Sequence, residues 1–309
     1  MLTSCITDSD VKVGSAFERR AIVKTLLGLL ASPRKMGNSE LIAKEIYRQL
    51  PHGWRLKLLR IPEFRLNPCL GCYQCLFKEG RCVQKDDLPI VLDAMFQADA
   101  YVVASPTYLF AAHASLKGLL DRGLTFSGHE DRLWGKPAVG VVLAGLHGME
   151  GYAKLMVDSF IKFSLADHRG SEIVYAALPG EVLLSEQGKE AAKVLAKALI
   201  EGPSEHEADS RVPRCNLCGG DTFRFLKNGN IRCMVCSSEG RYGWKNGTLQ
   251  IETVRGEHAV FLTREDATNH FAFLRGMKDR FIAMRKDLKA AVEEYRDIGE
   301  WIRPSSGSQ

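Results

Sequence analysis

Residues 22–39 read Ile-Val-Lys-Thr-Leu-Leu-Gly-Leu-Leu-Ala-Ser-Pro-Arg-Lys-Met-Gly-Asn-Ser. The first ten are mostly apolar, with β-branched residues early, and the run breaks at Ser32-Pro33. A continuous apolar run of this length reads as a strand buried on both faces of a parallel sheet. Asn38 and Ser39 then offer N-cap chemistry to a helix over Glu40 to Leu50, which carries Leu41, Ile42, Ile46 and Leu50 on one side. The unit is a strand, a polar loop and a helix.

The same unit recurs along the chain. Strands are expected at Trp54 to Ile61, Asp99 to Ala104, Ala138 to Ala144 and Ile173 to Ala177. Helices are expected from Asp86-Asp87 to Phe96, from Ala112 to Leu124, from the glycine-bearing loop 145–151 to Leu165, and over Glu186 to Ile200. Five strands alternating with helices predict an α/β fold with a doubly wound, five-stranded parallel sheet. The alternation stops at the polar, proline-containing stretch 201–210, where a domain boundary is expected. The expected organisation is a flexible extension over 1–20, an α/β domain over 21–202, a small cysteine-bearing module over 203–256 and a helical region over 257–309.

Length and composition are consistent with this. A chain of 309 residues exceeds one typical domain, and 45% hydrophobic content supplies a substantial core. No run of 18 or more uncharged apolar residues is present, so no membrane span is expected. Residues 1–20 lack the apolar core of a signal peptide, which argues against export. Eight of the nine cysteines fall into two tight quartets with metal-type spacing, as suits a reducing cytoplasm. Cys5 stands apart as an incidental thiol.

In parallel α/β sheets, ligands bind where the loops converge beyond the carboxyl ends of the strands. Three such loops carry suitable groups. Ser32, Arg34, Gly37, Asn38 and Ser39 bring hydroxyls, a guanidinium and an amide to a helix start, where free N–H groups favour a phosphate. The glycine spacing is neither that of a Walker loop nor GxGxxG, so a phosphomonoester fits better than a nucleoside triphosphate. Pro106, Thr107 and Tyr108 can frame a planar ring. Gly145, His147, Gly148 and Glu150 form a loop whose glycines let backbone approach a ligand.

The first quartet, Cys69, Cys72, Cys75 and Cys82, packs three cysteines at two-residue gaps and a fourth seven residues on. Such ligands can each reach a different iron of a cubane. Zinc is the main competitor, because thiolates are soft ligands, and reduced structural thiols are the remaining reading. The second quartet, Cys215, Cys218, Cys233 and Cys236, has two CxxC pairs separated by fourteen residues with Asn228-Gly229 between them. This reads as a zinc ribbon with a hairpin turn, rubredoxin-type iron being the rival. Arginines and lysines surround it together with Phe223, Phe225, Tyr242 and Trp244, a mixture able to hold single-stranded nucleic acid. The aromatics are read instead as the ribbon's scant core, and with a net charge of only +5 nucleic-acid binding is not expected.

Residues 22–200 resemble the flavodoxin-like NAD(P)H-dependent FMN reductases, and the cysteine run makes them most similar to the iron-sulfur flavoproteins of that group. The motifs that carry the resemblance are Ser-Pro-Arg-x-x-Gly-Asn-Ser at 32–39, Cys-x2-Cys-x2-Cys-x6-Cys at 69–82 and Asp86-Asp87. They continue with Ser-Pro-Thr-Tyr at 105–108, Leu-Lys-x3-Asp-Arg at 116–122 and Gly-x2-Gly-x-Glu at 145–150. The resemblance implies a flavodoxin-like fold, FMN held by the three loops and a [4Fe-4S] cluster. It also implies a symmetric homodimer or homotetramer in which one subunit's cluster lies near another's flavin. The third loop departs from the family pattern, with Leu146-His147 and Met149 where more glycine and a glutamine are usual. The expected activity is that of an FMN-dependent oxidoreductase with NAD(P)H or ferredoxin as donor. FMN takes two electrons and a cluster one, and no side-chain acid or base is required. A reductase of quinones, nitroaromatics or free flavin with zinc-bound cysteines is one alternative, and a redox-sensing binding module is another. His147 is read as a surface or flavin-contacting residue, and Asp121-Arg122 as a structural pair.

The end of the chain shows Met277, Phe281, Met284, Leu288, Ala291, Tyr295 and Ile298 at intervals of three or four, an apolar stripe on a helix expected over 264–302. The stripe is expected to dock on the protein's own body or on a second subunit. Arg275, Lys278, Arg280, Arg285, Lys286 and Lys289 are read as a solvated face.

Overall fold

The computed structural model describes residues 23–202, 212–257, 260–296 and 298–302. The expected extension at 1–20 and the expected boundary stretch at 203–210 lie outside the described residues.

Strands β1 (Lys24–Leu30), β2 (Trp54–Arg60) and β3 (Ala100–Tyr108) alternate with helices α1 (Asn38–Arg48) and α2 (Leu88–Gln97). A two-residue strand, β4 (Ala111–Ala112), folds back antiparallel on the end of β3. Helices α3 (Ala114–Asp121) and α4 (Glu130–Leu133), strand β5 (Pro137–Ala144), helix α5 (Ala153–Phe163) and strand β6 (Asp167–Tyr175) follow. Helices α6 (Glu181–Leu184) and α7 (Glu186–Glu201) end the unit. The five long strands are parallel in the order β2-β1-β3-β5-β6, the flavodoxin-like arrangement. Alternation within β1 sends Leu27 and Leu29 to one face and Leu26 and Leu30 to the other. The first face packs under α2, α3 and α5 through Val91, Met95, Leu116, Val157 and Phe160, and the second under α1 and α7 through Ile42, Ile46, Leu195 and Leu199. Each such buried side chain contributes about 1.5–3 kcal/mol. The close approach of α5 depends on Gly140, where a Cβ would stand 2.5 Å from Val157. Lys136 caps the carboxyl end of α2, its Nζ donating to the carbonyls of Met95, Phe96 and Ala98 at 2.6–3.0 Å.

Several elements differ from expectation. The expected helix at 112–124 stops at Asp121 and continues as 3-10 turns over Gly123–Gly128. Helix α1 begins at Asn38 behind Gly37, with no side-chain cap. Asn38 is occupied elsewhere, as described below.

Strands β7 (Phe223–Phe225), β8 (Ile231–Cys233), β9 (Glu239–Lys245) and β10 (Thr248–Val254) form an antiparallel sheet in the order β10-β9-β8-β7. Asn228-Gly229 forms the expected hairpin turn, with Gly229 at φ +78°. The cysteines, Ile231 and Val235 fill its interior. Phe225, Tyr242 and Trp244 lie outside, which corrects the reading of these aromatics as core; only Phe223 packs against the cysteine cluster. Leu155 of α5 and Leu262 press on this cluster, and Lys154 pairs with Asp221 at 2.9 Å, fastening the ribbon to the α/β body.

Helix α8 (Arg264–Glu293) opens with a capping box of Thr263 and Asp266. It ends nine residues short of the expected Ile302, and 294–296 form turns. Its first two turns are buried through Ala267 and Phe271, and Leu274 packs half-buried against the core. Arg275 and Lys278 do not belong to a purely solvated face: Arg275 Nε donates to the Leu76 carbonyl at 3.0 Å, and Lys278 stands 5.3 Å from the Phe77 ring centroid.

Candidate functional site

The loops after β1, β3 and β5 meet at the carboxyl edge of the sheet, joined by the segment after β6. One cavity there is lined by Ser32, Arg34, Gly37, Asn38, Ser39, Pro106, Thr107, Tyr108 and Gly145, with Ala176, Ala177 and Pro179 on the far wall. Nine of the twelve expected loop residues therefore come together. His147, Gly148 and Glu150 do not line it. The His147 ring stands 4.7 Å from the ring of Tyr175, whose hydroxyl donates to Glu150 at 3.0 Å, and Gly148 takes φ +77° at the bend. The third loop presses on the second at Gly151, where a Cβ would lie 2.3 Å from the Phe110 carbonyl oxygen.

The chemistry of the cavity suits a phosphorylated aromatic ligand. The amino end of α1 has no side-chain cap, so its free N–H groups and positive dipole end face the cavity's Ser32, Arg34 and Ser39. At Gly37 a Cβ would stand 3.1 Å from that of Arg34. The Thr107 hydroxyl is buried without a protein partner, the kind of orphan a ligand's polar ring edge satisfies. Tyr108 keeps a partly exposed ring beside it, edge-on to His113. Asn38 joins the walls: its Nδ2 donates to the carbonyls of Ala176 and Leu178 at 3.1 and 2.9 Å, and its Oδ1 accepts from Gly180 N at 2.9 Å.

Two residues that hold the first loop escaped sequence reading. Glu40 accepts from Met36 N at 2.8 Å and from Arg60 at 2.7 Å, and Arg60 donates to the Arg34 carbonyl at 2.6 Å. Burial opposes ionisation of Glu40, but hydrogen bonds from Lys44, Arg60 and Met36 N outweigh it and hold the carboxyl down to about 2. A signal was present, since Glu40 sits three residues after the N-cap, where capping-box acids reach back.

The first cysteine quartet lies on an excursion between β2 and α2. Asp86 and Asp87 do not simply open α2; they close the neck of this excursion, accepting from Asn67 N at 2.9 Å and from Arg65 N at 2.7 Å. Gln84 adds a bond to the Pro68 carbonyl at 2.9 Å. Arg122 plugs the neck from the end of α3, donating to the Asn67 carbonyl and to Asp86 at 2.7 Å each, and to Cys82 Sγ at 3.0 Å. Both members of the Arg122–Asp86 pair are shielded from solvent. Burial disfavours each charge, yet their mutual hydrogen bonds prevail, lowering Asp86 and raising Arg122. Asp121 is exposed and pairs with Lys117, so the two neighbours have separate structural roles. Cys69, Cys72, Cys75 and Cys82 line one cavity of 290 Å³ together with Arg122 and Thr125. Burial pushes the Cys75 thiol up, and the nearby Cys82 adds to this.

The second quartet is tighter. The Sγ atoms of Cys215, Cys218, Cys233 and Cys236 all lie within 4.8 Å of one another, with Cys218–Cys233 at 3.5 Å and Cys215–Cys236 at 3.8 Å. Thiolates around one tetrahedral zinc at about 2.3 Å stand about 3.8 Å apart, so this set matches a single ion. Among the described residues, it is the one group of histidines, cysteines and acids compact enough for that.

A flavodoxin-like sheet whose edge loops suit a phosphate and a planar ring, with a cysteine excursion beside them, fits a flavoprotein of the reductase class. The profile of the NADPH-dependent FMN reductases matches residues 25–167. An iron-sulfur flavoprotein of Archaeoglobus fulgidus is 32% identical over 158 residues, which cover 50% of this chain and 70% of that protein. An iron-sulfur flavoprotein of Methanocaldococcus jannaschii is 30% identical over 188 residues, covering 57% of this chain and 95% of that one. The chain belongs to the iron-sulfur flavoprotein family and is an FMN oxidoreductase. The fold of a solved flavone reductase matches over 91% of this chain and 99% of its own, with a TM-score of 0.68 at 17% identity. That likeness is one of fold, and it reaches beyond the α/β unit. No helix among the described residues is long and apolar enough to cross a membrane.

Proposed function

We propose that the cavity at the carboxyl edge holds FMN, that Cys69, Cys72, Cys75 and Cys82 hold a [4Fe-4S] cluster, and that the protein passes electrons between NAD(P)H or reduced ferredoxin and a separate acceptor. The observation that carries this is the looseness of the first quartet around its own cavity, set against the compactness of the second. A cubane places its irons at separate corners, so its thiolates stand farther apart than those around one ion. The same contrast favours zinc, in a structural role, at Cys215, Cys218, Cys233 and Cys236.

FMN exchanges two electrons and the cluster one, which lets the pair join two-electron and one-electron partners. The chain's residues bind and orient. Ser32, Arg34, Ser39 and the start of α1 take the phosphate, and Gly37 and Asn38 shape its cradle. Pro106, Thr107, Tyr108 and Gly145 frame the ring. His147, Gly148 and Glu150 sit one layer out and brace the third loop through Tyr175. Arg122 orients Cys82 and, by donating to its sulfur, favours the more reduced cluster. The NADPH in the family's description supports a nicotinamide donor. None of the eight described cysteines is paired in a disulfide, which supports a reducing cytoplasm.

Anaerobic purification followed by absorbance spectroscopy with iron, sulfide, zinc and flavin analysis tests the proposal. The expected result is one FMN, four iron, four sulfide and one zinc per chain. A yellow protein with two zinc and no acid-labile sulfide would make it a cluster-free reductase.

A further inference from the structure

The excursion that bears the first quartet has little core of its own. Residues 68–74 are all exposed, and Tyr73 and Glu79 take φ of +54° and +52°, a left-handed conformation that non-glycine residues keep only where their surroundings hold them. Between these two lies a single 3-10 turn, Gln74–Phe77, which carries Cys75 and buries Leu76. A turn this short leaves its last carbonyls without partners inside it. The Cys75 carbonyl accepts from Gly80 N at 3.0 Å. The Leu76 carbonyl accepts from Arg275 Nε at 3.0 Å, across 199 residues of chain. Lys278, three residues further along α8, stands 5.3 Å from the centroid of the Phe77 ring.

The first half of α8 is a firm base for these contacts. Arg255 pairs with Asp266 of its capping box, and Phe271 is buried in the same core cluster as Leu76. Phe271, Arg275 and Lys278 follow one another at intervals of four and three, so they share one face of the helix. That face meets the excursion along a groove where Cys72, Tyr73 and Phe77 stand opposite Leu274, Met277 and Lys278. Arg275 and Lys278 form no ion pair among the described residues, so neither charge is neutralised by an acid. A cluster gains negative charge on reduction, and cations beside its ligands favour the reduced form. We propose that Arg275 is a positioning residue for the cluster: from α8 it fixes the turn that bears Cys75 and, together with Lys278, raises the reduction potential. Arg122 steadies Cys82 directly, and Arg275 steadies Cys75 through the backbone of its turn. The role rests on the assignment of a [4Fe-4S] cluster to the first quartet, and it gives the last helix, which lies outside the family resemblance, a part in electron transfer.

Reductive titration of the anaerobically purified full-length protein, followed by electron paramagnetic resonance, tests this together with the rate of iron release to a chelator. Gln Nε2 stands as many bonds from the backbone as Arg Nε, so Arg275→Gln keeps a neutral donor for the Leu76 carbonyl. It is expected to hold its iron but to shift the ratio of oxidised to reduced cluster about tenfold at a given potential, a midpoint lower by about 59 mV for one electron. Arg275→Lys keeps the charge and should return the midpoint to that of the parent. Arg275→Ala loses both functions, and iron should leave at least severalfold faster while flavin absorbance, the sign of an intact α/β unit, is unchanged. A parent without acid-labile sulfide would overturn the cluster assignment and this role with it. A cluster-bearing parent matched by Arg275→Ala in both midpoint and iron release would overturn the role of Arg275 alone, and coincident midpoints in the Gln and Lys variants would overturn its electrostatic part.

Discussion

Arg122 and Asp86, thirty-six residues apart, form an ion pair at 2.7 Å that is closed to solvent and lies against Cys82. One guanidinium ties the end of α3 to the neck of the cysteine excursion. Removing one partner of a buried pair leaves the other charge uncompensated, at a cost of about 3–5 kcal/mol. Arg122→Ala should therefore lower the unfolding free energy by that much, read as a fall in the urea midpoint, and Arg122→Lys should recover only part because it lacks the planar fork. Equal stability of all three proteins in denaturant titration would contradict this.

Gly128 and Glu79 pack so closely that a Cβ at residue 128 would stand 2.1 Å from the Glu79 carbonyl carbon. Because the clash is with backbone, the excursion must move. Gly128→Ala is expected to reduce bound iron at least severalfold while far-UV circular dichroism of the sheet persists, an effect of about 1–3 kcal/mol or more on the local packing.

Glu40 should make stability depend on acid. Its folded value, about 2, lies below the ordinary 4.5, so its stabilising effect is complete above pH 4.5 and is lost as pH falls toward 2. In Glu40→Gln the denaturation midpoint should be lower at neutral pH and should fall less between pH 4.5 and 2. Parallel curves for the two proteins would show that the Arg60 and Met36 bonds do not stabilise the loop.

Asn38→Ala removes three hydrogen bonds that span the cavity. A loss of about 1–3 kcal/mol is expected, together with weaker FMN retention, read by fluorescence titration of the deflavinated protein. Arg34→Ala and Ser39→Ala should also weaken retention while leaving thermal stability nearly unchanged, because they serve the ligand and not the loop.

Cys233→Ser, or zinc chelation, should open the ribbon, since metal binding supplies on the order of 10 kcal/mol in modules this small. Hydrogen exchange over 212–254 should rise sharply while that of β1 and β3 stays slow. A ribbon that keeps its protection without metal would show that Leu155, Leu262 and the Lys154–Asp221 pair suffice.

Much of this was legible in the chain. Apolar runs such as 24–30 and the amphipathic spacing of Ile42 and Ile46 are local patterns, and they mark a strand and a helix wherever they lie. The two cysteine spacings are equally local and distinguish a loose quartet from a ribbon. Nine of the twelve residues expected at the cavity line it, by one rule, that loops beyond the strands' carboxyl ends converge. His147, Gly148 and Glu150 did not follow, because a loop's far half can turn toward a neighbour such as Tyr175 without any change in its sequence signature. The cap at Asn38 was misread for a related reason, and Asp86-Asp87, which do open α2, also close the cysteine excursion. Asn and Asp serve helix starts and distant loops with the same side-chain atoms, and only the approach of 176–180 and 65–67 decides between them.

The sequence by itself determined the alternation of strands and helices, the grouping of the cysteines and the apolar stripe on the last helix, since each is written in spacings of a few residues. The tertiary structure decided what those patterns meet. It set Arg122 against Asp86 and Cys82, Arg60 against Glu40, and the ribbon against α5, and it left the far half of the last helix exposed. Those partners stand 20 to about 70 residues apart, and the order of strands in the sheet, not their order in the chain, fixes which of them touch.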